Sequence, residues 1–220
     1  MFTECSRASY PLMRSDVFAG DVPIVAILRG VAPSTCLQVA EVIYRAGIRV
    51  IEVPLNSPDP FTSIRTLSSR LGSDCAVGAG TVLTVEDVNR THDAGGTLVV
   101  APNCDPDVIR RAVQLQLNVI PGFATPTEAF TAIRAGASDL KLFPAATYGP
   151  QHLKALRAVL PKSVRVIAVG GIGASDIPAW LEAGTSGFGF GSELFRPDFS
   201  IAQVENRARQ LIDALREAKK

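Results

Sequence analysis

The sequence predicts an α/β protein: a (β/α)8 TIM barrel, one domain over residues 1–220, with a short N-terminal helix. Three observations carry this reading: eight short apolar runs, helix start signals between them, and a glycine-ended segment that recurs four times. The runs are Ile24–Arg29, Val50–Leu55, Ala76–Thr81, Leu98–Pro102, Asn118–Gly122, Leu140–Phe143, Arg165–Gly170 and Gly187–Gly191. They are apolar throughout rather than alternating, as expected of strands buried on both faces in a parallel sheet covered by helices.

The intervening segments read as helices. Ser34 precedes the apolar run from Leu37 to Ile43. Thr84-Val85-Glu86-Asp87 resembles a capping box, and Thr125-Pro126-Thr127-Glu128 is one with Pro at the first helical position. Asp105-Pro106 and Ser175-Asp176 supply further N-caps. The segments RAGIRVIEVPL, DAGGTLVVAPN, RAGASDLKLFP and EAGTSGFGFGS each run from a helix end through a glycine stop into a strand. Their glycines are Gly47, Gly95, Gly136 and Gly184, spaced by 48, 41 and 48 residues, the length of two β/α units. This repetition favours a closed barrel over an open doubly wound sheet. Val204, Ala208, Leu211, Ile212 and Leu215 share one face of a last covering helix.

Composition narrows the function. Lys plus Arg is 22 and Asp plus Glu is 21, a net charge of +1. That balance provides no field for nucleic acid or an anionic membrane, so neither is an expected partner. The four cysteines (Cys5, Cys36, Cys75, Cys104) form no CxxC pair, and the two histidines, His92 and His152, read as surface residues. No metal site, cofactor or disulfide framework is expected, and the thiols fit a reducing cytoplasm. No run reaches the roughly 18 apolar residues of a membrane span. The opening MFTECSRASYPLMRSD does not read as a signal peptide, and residues 1–10 read as a loose tail.

The informative residues break the apolar pattern. Glu52 sits in VIEVPL, Lys141 in DLKLFP, and Arg29 ends IVAILRG. A strand charge facing outward would lie unpaired under a helix, so these are expected to face the barrel interior, toward the mouth at the strand C-termini. One reading is a structural Glu52–Lys141 ion pair plugging the barrel. The other is chemical. An apolar setting favours neutral Lys141, a nucleophile toward a carbonyl that yields a Schiff base. Glu52 is then the proton carrier, and Arg29 a two-pronged anchor for a substrate carboxylate. Thr81 offers a hydroxyl at the same mouth, or merely caps a turn. Gly170 and Gly171 after the seventh run, with Gly191 and Ser192 after the eighth, match the two loops that bind phosphate in this fold. Trp180 reads as core, and the cysteines as inert.

VAILRG, IEVPLNSP, VGAGTVL, APN, IPGFATPTEA, LKLFPA, AVGGI and GFGSEL occur in this order. Together, over about residues 20–196, they resemble the 2-keto-3-deoxy-6-phosphogluconate / 6-phosphogalactonate aldolases, small class I barrel enzymes. The resemblance implies a metal-free homotrimer that cleaves a phosphorylated 2-keto-3-deoxy sugar acid to pyruvate and glyceraldehyde 3-phosphate. It implies Lys141 as the Schiff-base lysine, Glu52 as general acid/base, and Arg29 and Thr81 at the carboxylate. It also implies Gly170, Gly171, Gly191 and Ser192 at the phosphate. Gluconate-type members tend to read EVTLRT, starting at the glutamate. Glu52-Val53-Pro54-Leu55-Asn56-Ser57-Pro58 resembles the galactonate branch instead, with Pro54 and Asn56 expected near the reacting carbons. The alternatives are the gluconate-type aldolase, a sugar-phosphate epimerase, and a non-catalytic sugar-phosphate binding protein.

Overall fold

A computed structural model describes residue Phe18 and residues 22–220. The expected N-terminal helix and loose tail lie outside the described residues. Among the described residues, nine parallel strands form the sheet: β1 (Ile24–Ile27), β2 (Val50–Pro54), β3 (Ala76–Gly80), β4 (Leu98–Val100), β5 (Asn118–Ile120), β6 (Gly122–Phe123), β7 (Asp139–Leu142), β8 (Arg165–Val169) and β9 (Gly187–Phe190). The hydrogen-bonded order is β5-β4-β3-β2-β1-β9-β8-β7-β6. The expected fifth strand is present in two pieces, because Pro121 has no N–H to continue a ladder. β5 pairs with β4 and β6 with β7, and the Lys141 N–H donates to the Pro121 carbonyl at 2.8 Å. The sheet thus returns to its starting segment and closes as a barrel.

Seven strands begin where the apolar runs begin, and β7 begins one residue earlier. Most strands end one or two residues sooner than expected. Arg29, Thr81, Gly170 and Gly191 accordingly lie in loops just past β1, β3, β8 and β9, whereas Glu52 and Lys141 stay within β2 and β7.

Among the described residues, α1 (Cys36–Ala46), α2 (Pro60–Leu71), α3 (Val85–Asp93), α4 (Pro106–Gln114), α5 (Pro126–Ala135), α6 (Ala145–Arg157, broken by non-helical Gly149), α7 (Ile177–Glu182) and α8 (Ile201–Ala218) surround the sheet. Thr84, Asp105 and Thr125 cap α3, α4 and α5 as expected. One expected cap is corrected, and a second, Asp176 before α7, holds in position but not in bonding. Thr35, not Ser34, precedes α1, and its side chain makes no cap bond. Asp176 reaches back to accept from the Gly173 N–H at 2.7 Å, closing a 3-10 turn (Ala174–Asp176) ahead of α7. Gly47, Gly95, Gly136 and Gly184 all take left-handed φ, between 80° and 114°, which ends each helix and turns the chain into the next strand.

Strand alternation makes two cores. Ile24, Ile51, Leu140, Phe188 and their neighbours face outward and pack under the helices, where Trp180 and the expected α8 face are also buried. Val25, Ile27, Val50, Leu98, Val100, Ile120, Ile167 and Val169 fill the barrel. Glu52 and Lys141 share this inward parity. No described helix is long and apolar enough to cross a membrane.

Candidate active site

Glu52 and Lys141 are the charged residues the sequence places in mid-strand with no helix end or surface to serve. They are 2% and 5% exposed. Glu52 lies across β3, where its carboxylate occupies the space a Cβ on Gly80 would need, so any side chain at position 80 would displace it. Lys141 projects from β7 with its Nζ 4.8 Å from the centre of the Phe143 ring. No ion pair joins Glu52 to Lys141 among the described residues. The two face one interior and feel each other's charge without a direct ion pair.

The electrostatics follow from burial. Desolvation raises the Glu52 carboxyl above its ordinary range, while the charges of Lys141 and then Arg29 pull it back down. Desolvation lowers the Lys141 amine below its ordinary range, Arg29 lowers it further, and Glu52 opposes both. An amine driven toward its neutral form can attack a carbonyl, and a carboxyl driven toward its neutral form can deliver and recover a proton.

Arg29, in the loop after β1, is solvent-exposed, and its Nη1 donates to the Asn56 Oδ1 at 2.6 Å. Thr81 follows Gly80 at φ 58°, a left-handed conformation that is strained for a β-branched residue. The strain sits beside Gly80, next to the carboxylate of Glu52. Arg29 acts on both Glu52 and Lys141 through its charge, and Arg29 and Thr81 lie in the loops at the C-terminal ends of β1 and β3.

Gly170 and Gly171 take φ of 100° and 73°, and a side chain on either would meet Phe143 or Ala146. The Gly170 carbonyl accepts from the Ala146 N–H at 3.0 Å, so the β8 loop docks on the start of α6. Gly191 and Ser192 open the loop after β9, with Ser192 exposed.

Sequence reasoning missed Gly80, Phe143 as a cover for Lys141, and the Arg29–Asn56 bond. One signal was available for Phe143: it stands two residues after Lys141, hence on the same side of an extended chain. His152 is also corrected. It is half-buried, stacks on Tyr148, and lies 2.6 Å from the Ala124 carbonyl. Cys36, Cys75 and Cys104 are free thiols that burial raises, Cys75 to about 11, consistent with inert side chains. Cys5 lies outside the described residues.

This geometry has known counterparts. The chain is 44% identical to 2-dehydro-3-deoxy-6-phosphogalactonate aldolase of Escherichia coli K12 over 197 residues, 90% of this chain and 96% of that protein. It is 45% identical over 186 residues to a probable 2-dehydro-3-deoxy-6-phosphogalactonate aldolase of Rhizobium meliloti, covering 84% and 88% of the two chains. A solved structure described as native KDPGal superposes with a TM-score of 0.89 at 43% identity, covering 91% of this chain and 97% of that one. The family model for KDPG and KHG aldolases matches residues 18–210, and the chain belongs to that aldolase family.

Proposed function

We propose that the chain is a class I aldolase that cleaves 2-dehydro-3-deoxy-6-phosphogalactonate to pyruvate and glyceraldehyde 3-phosphate. The observation that carries the chemistry is a buried lysine and a buried carboxyl facing one barrel interior, each pushed by burial toward its neutral form. The galactonate series is supported by the names of the two relatives above and by the loop Glu52–Pro58.

Neutral Lys141 attacks the C2 ketone, and loss of water from the carbinolamine leaves a protonated imine. Glu52 carries the protons of that dehydration. As carboxylate, it then takes the C4 hydroxyl proton while the C3–C4 bond breaks. The bonding pair moves into the imine to give an enamine, and the aldehyde leaves. The proton returns from Glu52 to C3, and hydrolysis releases pyruvate and the free amine. Arg29 and Thr81 hold the carboxylate end; Gly170, Gly171, Gly191 and Ser192 hold the phosphate. Fixing both ends aligns the breaking bond with the imine π system, positioning that contributes up to roughly 7–11 kcal/mol in favourable cases. Assembly as a homotrimer in the cytoplasm completes the proposal; the free thiols support a reducing compartment.

Incubation with pyruvate and borohydride tests the mechanism. The expected result is one stable adduct, mapped by mass to Lys141 and absent from Lys141→Ala. An adduct that survives that substitution, or none in the parent, overturns it. Cleavage rates on the two C4 epimers test the substrate, with preference for the gluconate epimer as the refuting result.

A further inference from the structure

Asn56 sits in a stiff mount. The Ser57 N–H donates to the Pro54 carbonyl at 2.9 Å, closing a turn over residues 54–57, and the Leu55 N–H donates to the Gly80 carbonyl at 2.8 Å. Ser57, 8% exposed, accepts from the Gly30 N–H at 2.9 Å. The loop after β2 is thus tied both to the end of β3 and to the loop that carries Arg29. From this mount the Asn56 Oδ1 accepts from Arg29 Nη1 at 2.6 Å. Arginine only donates, so the amide oxygen, not its nitrogen, must face it.

An exposed arginine samples many rotamers and loses that freedom when it grips a ligand. A fixed acceptor on one of its five N–H groups removes part of that loss beforehand and leaves a fork of donors for a carboxylate. Asn56 does this without charge. An aspartate there would neutralise the guanidinium and compete with the ligand.

We propose that Asn56 is a positioning residue that aims the Arg29 fork at the carboxylate of the 2-keto acid bound at Lys141. This rests on the reading of Arg29 as the carboxylate anchor given above.

The test is borohydride trapping across pyruvate concentrations in the parent, Asn56→Ala, Asn56→Asp, Arg29→Ala and the Asn56→Ala/Arg29→Ala double variant. Both side chains are exposed, so the substitutions leave the core intact. Asn56→Ala is expected to raise the half-saturating pyruvate concentration about threefold to tenfold, the range of a single hydrogen bond. The pH profile at saturating pyruvate should keep its limbs, because Glu52 and Lys141 keep their burial. Asn56→Asp should be worse than Asn56→Ala, and Asn56→Ala should add nothing on top of Arg29→Ala. Parent-like half-saturation in Asn56→Ala or Asn56→Asp, with Arg29→Ala impaired, overturns the role of Asn56 and spares the anchor. Additive effects in the double variant also overturn it. Parent-like half-saturation in Arg29→Ala overturns the anchor itself, and the proposal with it.

Discussion

Glu52 and Lys141 hold positions that work against the fold. Burial raises the Glu52 carboxyl, so between the ordinary carboxylate value of 4.5 and its folded value the native chain keeps a proton that the unfolded chain has released. Stability therefore falls as pH rises through that window, by the linkage of proton uptake to folding. Glu52→Gln copies the shape of the protonated carboxyl and cannot ionise. The variant should match the parent's stability below pH 4.5 and exceed it at neutral pH, while losing cleavage activity. Denaturant titration at several pH values checks this, and a gain that does not grow with pH would refute it. Both residues were legible in sequence because a charge inside an apolar strand is too costly to keep under a helix and so must turn to the barrel interior. Gly80 was not, since the space above it is taken by the carboxylate of Glu52 on a neighbouring strand rather than by any local turn. Nor was the Arg29–Asn56 bond, which joins residues 27 apart.

Elements were legible where their signals are local. The capping box at Thr125 is complete. Thr125 Oγ1 accepts from the Glu128 N–H at 3.4 Å, and Glu128 Oε2 accepts from the Thr125 N–H at 2.8 Å and from the Ala124 N–H at 3.0 Å. The Ala124 bond is the main cause holding the Glu128 carboxyl below its ordinary value. Its contribution is present above pH 4.5 and is lost as pH falls through the lowered value. Thr125→Ala should cost about 1 kcal/mol, the usual worth of an N-cap. Glu128→Gln should flatten the acid limb of the stability curve, and thermal melts on either side of the ordinary carboxylate value would show whether it does. Strand ends were less legible because they depend on pairing. β5 and β6 are separated by a proline whose interruption matters only once neighbours on both sides are known. The early ends of β1, β3, β8 and β9 release Arg29, Thr81, Gly170 and Gly191 into loops, where they are free to turn toward the mouth.

The closed barrel separates what stabilises the molecule from what reacts. The outer core lies between sheet and helices and contains most of the large buried side chains. The inner core is smaller and surrenders its interior positions at Glu52 and Lys141 to charge. Apolar runs in the sequence announced both cores without distinguishing them, since a strand buried on both faces looks the same from either side. This division predicts that stability and chemistry can be altered independently. Ile43, on α1, is fully buried in the outer core, outside the barrel interior that holds Glu52 and Lys141. Ile43→Ala removes buried methylenes and leaves a cavity, a loss of about 2–5 kcal/mol. In a chain of this length each kcal/mol lowers the melting temperature by roughly 2–4 °C. The variant should therefore melt well below the parent. At temperatures where it is still folded, it should form the pyruvate adduct at Lys141 with parental half-saturation, because Arg29, Glu52 and Lys141 keep their strands and loops. Glu52→Gln should do the opposite, gaining stability at neutral pH and losing cleavage. Measuring melting temperature, adduct formation and cleavage rate on the two variants side by side decides the matter. A folded Ile43→Ala protein that fails to trap pyruvate would show that the outer core also sets the geometry of the site.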